Sequence, residues 1–101
     1  MRTQVKVWLR NAESSRTWHE MHGQIVECFI PARTELVGVT DADPEAILAL
    51  LDLDESHAAA VQQALACPGG EVWLYEDYCG DVGVDVYLIV KKHYEYESSI
   101  H

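Results

Sequence analysis

Hydrophobic and polar positions alternate at the start of the chain. Val5, Val7 and Leu9 fall on one side, Lys6, Trp8 and Arg10 on the other. That period of two predicts a half-buried strand. Polar residues from Asn11 to Ser15 predict a turn. Thr17–Met21 fits either an extended segment or a short helical turn, and Gly23 marks a turn or bulge. Gln24–Ile30 is rich in β-branched and aromatic residues and reads as a second strand or hairpin arm, ended by Pro31. Glu35–Thr40 reads as a third strand.

The period then changes. In Asp41-Ala42-Asp43-Pro44-Glu45, Asp43 suits the N-cap, Pro44 the first helical position, and Glu45 the positive end of the helix dipole. Ile47, Leu48 and Leu51 follow at helical spacing, with Leu50 widening the stripe. Leu51–Asp54 breaks this helix, and Asp54 or Ser56 caps a second one that runs to about Cys67 on an apolar face of Ala58, Val61, Ala64 and Leu65. Pro68-Gly69-Gly70 terminates it. Glu71–Tyr78 is an aromatic-rich strand, Cys79-Gly80-Asp81 a candidate tight turn, and Val82, Val84, Val86, Leu88 and Val90 the longest period-two run in the chain. Gly83 is a candidate bulge. Lys91–Tyr96 is expected to prolong that strand as an exposed edge guarded by its lysines, and 97–101 to fray. These elements predict one α+β domain spanning 1–101. Its architecture is an antiparallel sheet of four to six strands with two consecutive helices packed on one face.

Charge changes this picture more than composition does. The net charge is -10, and no Lys or Arg occurs between Arg33 and Lys91, whereas twelve acids do. A one-signed surface repels nucleic acid and anionic membrane, so neither is an expected partner. Asp43, Glu45 and Asp54 have local work at helix starts. The excess gathers in two patches: Asp52, Asp54 and Glu55 at the helix junction, and Glu76, Asp77, Asp81 and Asp85 around the last hairpin. With Trp8 and Tyr87, aromatics on polar strand faces, these are the candidate partner-binding residues.

The chemistry-bearing residues give weaker signals. His19, Glu20, His22 and Cys28 invite a zinc reading, but they have neither the H-E-x-x-H spacing nor a C-x-x-C pair, and a solvated polar stretch is favoured. Three cysteines without a leader of secretory type argue for reduced, mostly buried thiols and a cytoplasmic protein. No cofactor, metal or catalytic residue is expected.

The expectation is a small acidic module that binds another protein with a basic surface, as an inhibitor or antagonist, its carboxylates standing in for phosphates in a groove built for nucleic acid. Small phage anti-defence proteins, anti-CRISPR proteins among them, and immunity proteins are similar in size and charge, a likeness that no motif extends. The alternative is a small dimeric enzyme or ligand-binding domain using His19, His22, His57 and Cys79; a homodimer is compatible with either.

Overall fold

Eight strand residues from Gln4 to Asn11 form β1, and alternation decides its placement: Val5 and Val7 are buried, while Lys6 and Trp8 on the other side are half-buried. The computed structural model describes residues 3–11, 15–79 and 82–93. It runs β1, β2 (Ser15–Met21), β3 (Gln24–Ile30), β4 (Arg33–Asp41), α1 (Pro44–Leu51), a 3-10 turn (Glu55–His57), α2 (Ala58–Ala66), β5 (Val72–Cys79) and β6 (Val82–His93). The fold is α+β. A four-stranded sheet has the order β4-β1-β6-β5, with every pairing antiparallel, and β2 and β3 form a separate two-stranded ribbon.

The helices cover one face of the main sheet. Ile47 and Leu48 from α1 and Val61 and Ala64 from α2 meet Val5, Val7, Val72, Leu74, Leu88 and Val90 in one cluster. Burying each of the Val, Leu and Ile side chains contributes roughly 1.5–3 kcal/mol before conformational entropy is charged against it. The Asp43 side chain accepts from Ala46 N at 3.2 Å, and Pro44 occupies the first turn. The helix ends at Asp52, which takes the left-handed conformation at φ 58. Asp54 caps the 3-10 turn by accepting from Ser56 N at 3.0 Å. Gly69, at φ 87, then donates to Val90 O at 2.9 Å and returns the chain to the sheet.

The ambiguous stretch Thr17–Met21 is a strand. Met21 pairs with Gln24 across a two-residue turn in which His22 and Gly23 both have positive φ, the twist a tight hairpin needs. Gly83 does not bulge. The extra residues are Val37 in β4, opposite the Val7/Trp8 step, and Leu74 in β5. Beyond Leu88, β6 outruns β5 and pairs with β1 as far as His93. Tyr94–Tyr96, the 97–101 segment and the turn residues Gly80 and Asp81 lie outside the described residues.

The cysteine expectation needs correction. Cys28 is disulfide-bonded, and Cys67 is a free thiol exposed at the end of α2 rather than buried. The radius of gyration is 16.8 Å and the extents are 58 × 34 × 20 Å, a more elongated shape than a round domain of this length, whose radius is roughly 13 Å.

Candidate functional site

The composition of the main-sheet face away from the helices follows from register. Lys6 lies between Val39 and Lys91, Trp8 between Leu36 and Ile89, and Arg10 between Thr34 and Tyr87. On the β5 side, Trp73 pairs with Tyr87, Glu76 with Asp85, and Tyr78 with Gly83. The Leu74 bulge decides which β5 residues reach this face. Without it Trp73, Tyr75 and Asp77 would share a side. With it, Tyr75 and Asp77 turn toward the helices, and Glu76 and Tyr78 join Trp73.

The two acids on that face hold the two aromatics. Trp73 Nε1 donates to Asp85 Oδ1 at 2.9 Å, and the Tyr78 hydroxyl donates to Glu76 Oε1. Tyr78 lies across Gly83, where an added Cβ would meet its ring at 2.9 Å. Glu76, accepting that hydrogen bond, holds the Tyr78 pKa above 10.0. Trp73 is 53 % exposed and Tyr78 61 %. Large aromatic surfaces are thus fixed in place while facing solvent.

The remaining candidate residues divide. Trp8 and Tyr87 sit on the same face and are half-buried, and Trp8 Nε1 is buried with no acceptor among the described residues. Asp77 is exposed on the helix side, where it joins burial in raising the Tyr75 pKa. Asp52, Asp54 and Glu55 are exposed at the helix junction. The hairpin patch is therefore split between the two sheet faces, with Glu76 and Asp85 on one and Asp77 on the other. Asp81 lies outside the described residues.

Sequence reasoning placed Asp85 and Tyr87 opposite the valines of β6, but it did not single out Trp73, Tyr78 or Trp18 as exposed, because nothing local announces the bulge. Of the ribbon, Gln24–Ile30 is the strand that the sequence predicts, whereas Thr17–Met21 fits two readings there. Trp18, Ile25 and Phe29 lie on one of its faces, and all are exposed. Arg16 on that face is held over the Phe29 ring at 4.8 Å and bonds Glu27 at 2.9 Å.

The enzyme alternative finds little geometry. His22 is at the ribbon turn, His57 lies on the 3-10 turn edge-on to Tyr75 at 6.3 Å, and the side chains of His19 and Cys79 lie outside the described residues. Asp54, Ser56 and His57 are mutually close, with Ser56 Oγ 3.2 Å and Asp54 Oδ1 3.6 Å from the same His57 Nδ1. A relay needs the nucleophile and the carboxylate on opposite ring nitrogens, so this is a helix cap. The disulfide removes the Cys28 thiolate from any zinc set, and among the described residues no group of three His, Cys, Asp or Glu could hold a metal ion. Nor, among them, is any helix long and apolar enough to cross a membrane.

The chain matches no protein-family model, no curated protein and no solved structure.

Proposed function

We propose that this protein is a binding module that grips another protein through the β5–β6 hairpin. The observation that carries the reading is the pair of exposed aromatics, Trp73 and Tyr78, each tied to a carboxylate of the same hairpin. Aromatic anchors dominate interface energetics, and anchors already fixed lose less entropy on binding. The partner's surface is basic. Glu76 and Asp85 stand beside the anchors, and no Lys or Arg occurs from residue 34 to 90. Opposite charge steers the encounter and rejects acidic competitors. If the partner's basic groove serves nucleic acid, occupying it makes the module an antagonist, with cytoplasmic action against such a target as the working case.

The test starts by capturing the partner on immobilised full-length protein and identifying it by mass spectrometry. Trp73→Ala and Tyr78→Ala are expected to weaken binding by about 2 kcal/mol or more each. Affinity should also fall steeply with added salt. Binding that survives both substitutions, with the fold verified by circular dichroism, would remove the hairpin from the interface.

A further inference from the structure

The ribbon has no core of its own, yet one side of it is partly covered. In β3, Cys28 and Ile30 are half-buried while Phe29 between them is exposed. The side that carries Cys28 therefore faces the body, and the side of Trp18, Ile25 and Phe29 faces away. The β5–β6 hairpin offers the matching surface. Val84 and Val86 are buried but stand outside the cluster that the helices form with the sheet. β1 stops pairing with β6 at Tyr87, so it does not flank them. Among the described elements the ribbon is what remains beside them, since β2 contacts β6 and β3 contacts β5. Register puts position 79 on that side too: Cys79 is the cross-strand partner of Val82, which alternates in step with Val84 and Val86.

Cysteine arithmetic completes the picture. The chain holds Cys28, Cys67 and Cys79. Cys28 is disulfide-bonded and Cys67 is free. We propose that Cys28 is bonded to Cys79 and that this bond is a redox latch. Closed, it holds the ribbon against the back of the hairpin. Reduced, it frees the ribbon and uncovers Val84 and Val86. The inference is independent of what the hairpin binds.

Stability is distributed as a latch requires. Among the described residues the fully buried side chains lie in the sheet, α1 and α2, so the core of the body does not depend on the bond. Those of the ribbon are exposed or half-buried, and a two-stranded hairpin alone is marginal in water. Docking of the ribbon thus leans on the bond. Joining β3 to the end of β5 closes a loop that contains β4 and both helices, and closing a long loop removes many open states. Cys28 is only half-buried, which leaves a small thiol a way in.

The latch works by thiol–disulfide exchange. A dithiol gives two electrons and two protons. The Cys28–Cys79 bond breaks, both sulfurs become thiols, and the dithiol closes into its own disulfide. Glutathione disulfide runs the step backward: it takes two electrons and two protons from the two thiols and leaves as two glutathione thiols. A compartment rich in reduced glutathione opens the latch, and an oxidising one closes it.

Peptide mapping tests the bond. The full chain, dialysed in air without reductant, is alkylated in its native state to block Cys67 and then digested by trypsin and a glutamate-specific protease. Glu71 and Glu76 separate Cys67 from Cys79. The expected product is one linked pair of peptides that carries Cys28 and Cys79. Brief trypsin treatment of the folded chain tests the opening. After reduction with dithiothreitol, alkylation and removal of both reagents, cleavage at Arg16 in β2 should be about tenfold faster or more, with cleavage at Lys6 in β1 unchanged. Cys67→Ser should show the same acceleration. Cys28→Ser with Cys79→Ser should be cut fast at Arg16 without any reduction; if that variant fails to fold, the reduced parent carries the test. Cys28 recovered as a thiol, Cys28 linked to Cys67 or to a second chain, an Arg16 rate indifferent to reduction, or a rate that rises equally at Lys6 would each overturn the proposal.

Discussion

Asp43, Asp54, Glu76 and Asp85 are four acids of a block that looks uniform in sequence, yet each has a different neighbour. Asp43 and Asp54 accept backbone N–H groups at the starts of helical segments. Asp43→Ala should cost about 1 kcal/mol, read as a lower denaturant midpoint at unchanged slope. The bond from the Ser56 hydroxyl, then that from its backbone N–H, lowers the Asp54 pKa below 3.8. A lowered folded value means a contribution present above the unfolded value and lost as pH falls through the folded one. Acid unfolding should therefore flatten in Asp54→Ala below pH 3.8, seen as a thermal midpoint that changes less with pH than in the parent. Tyr78 runs the opposite way. Its raised value gives a contribution present below 10.0 and lost as pH rises through the folded value. In Glu76→Gln, absorbance titration at the tyrosinate band should show one tyrosine ionising at lower pH; an unchanged curve would mean that Glu76 does not hold the hydroxyl. The capping acids were legible in sequence, because a cap is decided within a few residues. Glu76 and Asp85 as aromatic holders were not, because their partners are set by cross-strand register and by the bulge at Leu74.

At the scale of elements, local pattern carried far where an element has a single buried side. The start of α1 at Pro44, the break near Asp52, and the alternation of β6 all followed from spacing, and so did a sheet covered on one face by two helices. Ile47 is fully buried between α1 and the sheet, so Ile47→Ala should destabilise by about 2–5 kcal/mol through lost contact and a residual cavity. Asp52 shows how one residue serves two readings. Its left-handed conformation closes α1, so a Lys there would test backbone strain as much as charge. Charge at the helix junction is better probed at Glu55, which caps nothing. The ribbon is delivered only in part: Gln24–Ile30 reads as a strand or hairpin arm after a turn at Gly23, while Thr17–Met21 stays ambiguous. Arg16–Met21 and Gln24–Phe29 show no sustained alternation between apolar and polar, because neither face of the ribbon is wholly buried and no core imposes a period.

The whole molecule joins a body with a covered core to an arm without one. Among the described residues, every fully buried side chain lies in the main sheet, α1 or α2, whereas those of the ribbon are exposed or half-buried. A lone two-stranded hairpin is marginal in water. Contacts of β2 with β6 and of β3 with β5 hold this one to the body, and Cys28 in β3 is disulfide-bonded. A disulfide restricts the open states of the segment it closes, without supplying a core along its length. Opening should then be local and sensitive to reductant. In hydrogen exchange, amides of β1 and β6 are expected to be the slowest and those of residues 15–30 to exchange well before them; reduction should speed exchange in β3 and leave β1 and β6 unchanged. Alkylation read by mass spectrometry supplies the control: Cys67 labels in the native protein, Cys28 only after reduction. Equal protection in ribbon and body would mean that the arm carries stability its exposed side chains do not explain.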